Sequence, residues 1–193
     1  MFNDKYGLTQ AVLDGRKTMT RRMVCTKDVR LPVHLSYDIK TRQLLLYDAC
    51  LSLVESSRYA FDEVVAIAQA YKDIYEKGGF DMHEPFTFVS ESAGWKNKMF
   101  VKAELMPHHI KITNIYIERL QDISEEDCYK EGIYKIEYSH NGPKVAYTYR
   151  GGRISDWKDT PQEAFAALID KVSGKGTWDS NPIVWVYEFV KIE

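Results

Sequence analysis

The polar run Gly15-Arg16-Lys17-Thr18-Met19-Thr20-Arg21-Arg22 gathers four cations and two hydroxyls. A lysine or arginine can face a developing oxyanion or a phosphate, and a lysine kept neutral can take a proton. A threonine hydroxyl relieved of its proton is a nucleophile. The run therefore offers either amide hydrolysis through a hydroxyl or recognition of an anionic, nucleotide-like ligand, although a solvated basic edge has the same composition. On a plain strand Lys17 and Thr20 lie on opposite faces, because odd spacing alternates. A turn across residues 15–17 lets both side chains converge on one pocket. Near the other end, Trp178 and Asn181 precede an apolar strand and could stack on and hydrogen-bond a base. Ser173-Gly174-Lys175-Gly176-Thr177 hints at a phosphate loop but lacks the earlier glycine of a P-loop, and it reads as a turn. His108-His109 has no second ligand pair, so no metal and no cofactor is expected.

The elements that must position these residues follow from periodicity and punctuation. A short helix over 7–14 buries Leu8, Ala11 and Val12 and ends at Gly15 in a left-handed cap. Residues 17–24 read as extended, with Thr18, Thr20 and Arg22 on one face. A strand is expected over 43–47. Phe61, Val64, Val65, Ala68, Tyr71, Ile74 and Tyr75 recur at three and four residues, which predicts a helix over 59–77 stopped by Gly78-Gly79. Strands are predicted over 99–103 and 110–119, the second with a bulge at Asn114. Ser124 caps a short helix with an acidic first turn, ended by Gly132. Strands over 134–138 and 144–149 flank Asn141-Gly142, a hairpin turn. Thr160-Pro161-Gln162-Glu163 opens a helix carrying Phe165, Leu168 and Ile169 inward. Residues 183–192 are apolar on both faces, as in a buried central strand. Strands dispersed among short helices without regular βαβ alternation predict α+β with a barrel-like sheet.

Composition narrows the function classes. The chain has 193 residues, 45% hydrophobic, and a formal net charge of −2, so the globally basic surface of a non-specific nucleic-acid binder is absent. Any nucleotide site must be a local patch. Aromatic residues make up 13%, rings that fill cores and also stack on bases. Cys25, Cys50 and Cys128 are scattered and odd in number, which suits reduced thiols in a cytoplasmic protein. No apolar stretch has the length of a signal core or a membrane span, so no membrane partner is expected.

The segment Ala11-Val12-Leu13-Asp14-Gly15-Arg16-Lys17-Thr18-Met19-Thr20-Arg21-Arg22 resembles the opening signature of the ASCH family, a hydrophobic residue followed by Leu-x-Gly-Arg-Lys-Thr-x-Thr-x-Arg. A second similarity runs from Glu118-Arg119-Leu120-Gln121-Asp122-Ile123-Ser124 to Lys130-Glu131-Gly132-Ile133. A third, Trp178-Asp179-Ser180-Asn181-Pro182-Ile183-Val184-Trp185, resembles the family's last strand. The long form is similar to members common in bacteriophages and prophages. The resemblance implies one PUA-like domain over 1–193, a mixed β-barrel with flanking short helices and an inserted helix. Insertions fall at about 26–90 and 134–160. In place of a short family strand stands Trp95-Lys96-Asn97-Lys98-Met99-Phe100-Val101-Lys102.

The resemblance also implies a function. PUA-like domains bind RNA, so a pocket around Arg16, Lys17, Thr20, Arg21, Arg22 and Glu131, with Trp178 and Asn181, is expected to take RNA or a modified nucleoside. Some small members are amidohydrolases that remove the acetyl group of N4-acetylcytidine with a lysine, a threonine and a glutamate. By motif these are Lys17, Thr20 and Glu131, with Arg22 matching a family arginine beside them. Lys17 serves as base only if neutral; otherwise Glu131 is the base and Lys17 holds the oxyanion. A third reading is a phage accessory protein that uses the fold as an interaction scaffold. An open pocket favours the first two, and a pocket plugged by residues 26–90 favours the third.

Overall fold

The computed structural model describes residues 2–25, 33–78, 90–139 and 143–192. In chain order these form α1 (Leu8–Leu13), β1 (Met19–Met23), β2 (His34–Asp38), β3 (Gln43–Tyr47), β4 (Leu53–Ser56), β5 (Val64–Ala66), α2 (Tyr71–Glu76), β6 (His109–Arg119), α3 (Glu125–Lys130), β7 (Ile133–Ser139), β8 (Pro143–Tyr149), α4 (Pro161–Ser173), α5 (Thr177–Ser180) and β9 (Ile183–Ile192). The architecture is mixed α+β, a curled antiparallel half-barrel sheet with a few short helices. Its main sheet has the order β1-β9-β6-β5, and β2-β3-β4 and the hairpin β7-β8 form two smaller sheets.

β9 is apolar along most of its length because both its faces are covered. Val184 and Val186 point into one core with Met19, Phe165, Leu168 and Tyr149. Trp185, Tyr187 and Phe189, on the alternate face, pack into a second core with Ile110, Ile112, Ile67 and Leu46. A strand between two cores shows no polar alternation where it is covered, and residues 183–187 are all buried. β1 lies against it with Thr20 opposite Tyr187 and Arg21 opposite Val186. Paired residues share a face, so Thr20 and Arg22 look toward the second core and Met19 and Arg21 toward the first. On the other side, β6 pairs with β9 and shifts register between Ile112 and Asn114. That bulge bends the strand and helps the sheet to curl.

The structure departs from the sequence reading in two segments. Residues 59–77 are not one helix. Asp62 takes a left-handed backbone with φ of 62°, Val64 and Val65 pair with β6, and only Tyr71–Glu76 is helical. β-branched residues beside an open sheet edge gain ladder hydrogen bonds that outweigh a weak helical stripe. Residues 99–103 are not a strand either. Asn97 accepts from the Met99 amide and opens a 3-10 turn over Lys98–Phe100, and a second turn covers Ala103–Leu105. The piece expected to replace a family strand is therefore turn structure. The Asn141-Gly142 turn lies outside the described residues; β7 and β8 pair antiparallel with Ser139 opposite Pro143.

Helix α4 begins where Thr160 accepts from the Glu163 amide, with Pro161 in the first turn. Thr160→Ala should cost about 1 kcal/mol of stability, read as a lower urea midpoint at unchanged slope. A loss below a few tenths of that would show that the cap is idle.

Candidate functional site

The polar run after α1 is placed by a tight reversal. Gly15 has φ of 73°, and the amides of Arg16 and Lys17 both return to the Ala11 carbonyl at 2.9 Å. The chain is thereby folded back before β1 begins, and Lys17 is aimed inward instead of joining the strand's alternation. The Thr18 amide then donates to the Lys130 carbonyl at 2.9 Å, which docks this segment on the end of α3. There Glu131 is the C-cap, and Gly132 follows at φ of 104°. A glycine is favoured at Gly132 because a side chain at that φ is strained.

These turns bury an ionic cluster. Lys17 is 2% exposed and Glu131 5%. The Lys17 Nζ donates to the Met19 carbonyl at 2.7 Å, to the Glu131 carbonyl at 3.0 Å and to Glu131 Oε2. Three acceptors match the three N–H groups of an ammonium, whereas a neutral amine could serve only two. Burial nevertheless pulls the Lys17 pKa below the ordinary lysine value, with the Glu131 charge opposing and Arg22 and Arg21 adding to the lowering. Arg21, on the same face as Met19, reaches Glu118 at 2.6 Å, Asp127 at 3.0 Å and Glu131 Oε1 at 3.3 Å. Arg21 is therefore the hub of a buried four-residue network and not a ligand-facing cation of a surface patch. Exchanging it for glutamate would put four carboxylates together, so such a variant reports on folding and not on binding. Burial raises the Glu118 carboxyl above its usual range, against the pull of Arg21.

A cleft of about 540 Å³ opens beside this cluster, and Lys17, Thr20, Arg21, Arg22 and Glu131 all line it. Two strands of sequence logic thus meet, since Lys17 and Glu131 are separated by 114 positions. Thr20 is 7% exposed, and among the described residues its hydroxyl has no hydrogen-bond partner. Because Thr20 lines the cleft, its hydroxyl is available to a ligand or to water. From the segment 26–90, the described residues Ala70 and Asp73 line the cleft; residues 26–32 and 79–89 lie outside the described residues.

Other expected site residues lie elsewhere. Arg16 is exposed and paired with Asp14 at 3.0 Å, outside the cleft. Trp178 packs edge-on against Phe165, with ring centroids 6.2 Å apart. Asn181 takes a left-handed backbone and accepts from the Gln121 amide at 2.8 Å. Both are therefore occupied in joining α5 to β9, and neither lines the cleft. The amides of the 173–177 turn are also taken. Asp170 accepts from Gly176 and Trp178, and the Gly174 and Thr177 amides are bonded to backbone carbonyls, so no phosphate nest remains. His109 enters β6 as a pairing residue.

The sequence reading missed Phe2, Lys98, Glu118 and Asp127. Asp127 had a faint signal, since Asp127 and Glu131 stand at i and i+4 of a helix end, on one face and in reach of a single cation; Glu118, on β6, had none. Phe2 and Lys98 had none, because only the tertiary fold brings them to the cleft.

No protein-family model, no curated protein and no solved structure matches this chain. Among the described residues, no helix is long and apolar enough to cross a membrane.

Proposed function

We propose that the chain is a PUA-like domain of the ASCH type whose cleft binds a modified nucleoside. The observation that carries this reading is the buried Lys17–Glu131 pair flooring a cleft of about 540 Å³. Pockets of this size enclose small polar ligands, with a few convergent polar groups fixing orientation. The curled antiparallel sheet with β9 between β1 and β6 suits a PUA-like barrel. A single nucleoside fits the charge better than an RNA strand, because a net charge of −2 supplies no extended basic track for a phosphate backbone.

Thermal unfolding with cytidine, N4-acetylcytidine and their 5′-monophosphates tests the reading. A ligand at a hundred times its Kd should add about 2.7 kcal/mol of stability. Arg22→Glu should remove that gain, with the monophosphates affected most. A shift that is equal in Arg22→Glu, or absent for every nucleoside, would overturn the assignment of the cleft.

The unpartnered Thr20 hydroxyl favours a second reading, in which the bound nucleoside is hydrolysed. Lys17 has no N–H to spare for an oxyanion while its three acceptors hold it. It becomes a base by passing a proton to Glu131, after which its lone pair takes the Thr20 proton. Thr20 Oγ1 then adds to the acyl carbonyl, the C–N bond breaks as the amine takes a proton back, and water cleaves the acyl-threonine. Arg22 also lines the cleft, and its guanidinium is assigned to the developing oxyanion.

A further inference from the structure

The cleft has a closed neighbour. Behind it, inside the half-barrel, lies a chamber of about 30 Å³ whose walls include Tyr59, Ile67, Ile110 and Phe189. Three residues line both spaces: Phe2, Thr20 and Arg22. They therefore stand between the open cleft that holds the ionic cluster and a smaller, largely apolar space. Thr20 belongs to β1 and is fixed by the sheet, but Phe2 arrives from outside it.

Phe2 is held in that position from both ends. Its ring packs against Phe189, with centroids 5.7 Å apart, and the Lys17 Nζ sits 5.9 Å from its centroid. Its carbonyl accepts from the Lys98 Nζ and from the Thr9 hydroxyl at 3.4 Å. Lys98 also bridges to Asp4 at 2.8 Å, so one cation pins both Phe2 and Asp4. A half-buried aromatic ring tied by a charged anchor, standing between two cavities, is more than core filling.

We propose that Phe2 is a selectivity gate that closes the inner chamber to groups carried past Thr20. With the ring in place, an acetyl methyl stays on the cleft side of Phe2 while longer acyl chains meet the ring, and the chamber behind it holds only about one water-sized group. With the ring displaced, the cleft and the chamber join, and an apolar chain can run along Phe189 and Ile67. The limit on acyl length rests on the reading that the cleft takes an acylated nucleoside; the gate itself does not.

Two measurements separate these claims. In the first, Ile67→Cys puts a thiol in the chamber, where the native side chain is 1% exposed. Its reaction with methyl methanethiosulfonate is followed by peptide mass spectrometry, with native Cys128, 0% exposed in the other core, as the internal reference. Adding Phe2→Ala should speed labelling of the chamber thiol by about tenfold or more while Cys128 is unchanged, since local opening and not global unfolding exposes it. No acceleration, or the same acceleration at Cys128, overturns the gate. If Phe2→Ala does not fold, Phe2→Leu removes the planar ring with less loss of volume and is read in the same way. In the second, N4-acetyl- and N4-hexanoylcytidine are compared. The native chain should favour acetyl by about a hundredfold and Phe2→Ala by only a few-fold, as expected when a hydrophobic pocket is lengthened by several methylenes. Unchanged selectivity with binding retained overturns the acyl limit. Failure of both proteins to bind either compound overturns the nucleoside reading and leaves the labelling result to decide the gate.

Discussion

Lys17→Met should destabilise the fold by about 3–5 kcal/mol, because it leaves the Glu131 carboxylate buried without its closest counter-charge. Glu131 is 5% exposed, so water cannot replace the lost ammonium. Two backbone carbonyls, those of Met19 and Glu131, lose their donor as well, each at a cost of about 1–3 kcal/mol if no water enters. Arg21 softens the loss through its 3.3 Å contact to Glu131. The double variant Lys17→Met with Glu131→Leu should recover much of the stability, since a buried pair replaced by apolar residues is often neutral. Recovery should stop short of the native value because the orphaned carbonyls remain. Arg21 keeps Glu118 and Asp127 in the double variant, so the rest of the network survives. Urea unfolding of the native chain, Lys17→Met, Glu131→Leu and the double variant at pH 7 gives the cycle. A Lys17→Met loss under about 1 kcal/mol would place the pair in the class of exposed salt bridges and remove the reason for calling this cluster a site.

The same residues show what a sequence can and cannot disclose. Gly15 and Gly132 announce their turns because only glycine accepts those positive φ values without strain, and the turns they mark bring Lys17 to Glu131. Ser124 and Thr160 announce helix starts through side-chain caps, and β9 announces its place between two cores through the apolar run over 183–187. All of these are local rules acting alone. Residues 59–77 carry a stripe that fits a helix, yet the exposed edge of β6 offers Val64 and Val65 a ladder that no local pattern records. Arg21 reads as one more cation in a basic run, and only the fold reveals Glu118 and Asp127 closing around it. Arg16 and Arg21 sit five residues apart in one motif; the first is solvated on Asp14, whereas the second is the centre of the core network. Identity and spacing assign residues to elements, but burial assigns their chemistry, and burial is a property of the packed chain. Trp178 and Asn181 make the same point from the other direction. Their types suit base recognition, and their positions commit them to a helix–strand junction.

Thr20→Ala should abolish release of acetate from N4-acetylcytidine if the hydrolytic reading is right, while binding and fold persist. The hydroxyl forms no hydrogen bond among the described residues, so its removal breaks nothing in the ground state, and the loss falls on turnover alone. Thr18 cannot substitute, since its amide is docked on Lys130 at the mouth of the turn and it does not line the cleft. Glu131→Gln should lower turnover by about a hundredfold or more, the scale for losing a group that takes a proton in the mechanism. Combining the two should cost no more than Thr20→Ala alone, because they act on one proton path. The pH profile carries a sign. Burial lowers the Lys17 pKa, so its neutral form grows as pH rises toward a value below the ordinary 10.5. Loss of the Lys17 proton to solvent frees its lone pair without the internal transfer to Glu131. Turnover should therefore rise with pH and level off before the usual lysine range is reached. Glu131→Gln, which blocks the transfer, should make that rise steeper. Among the described residues no three His, Cys, Asp or Glu side chains are grouped to hold a metal, and activity should persist in EDTA. Following cytidine by chromatography decides the matter. Equal turnover by the native chain and Thr20→Ala across a panel of acylated cytidines would sink the nucleophile, and the cleft would then stand as a binding pocket whose hydroxyl hydrogen-bonds its ligand.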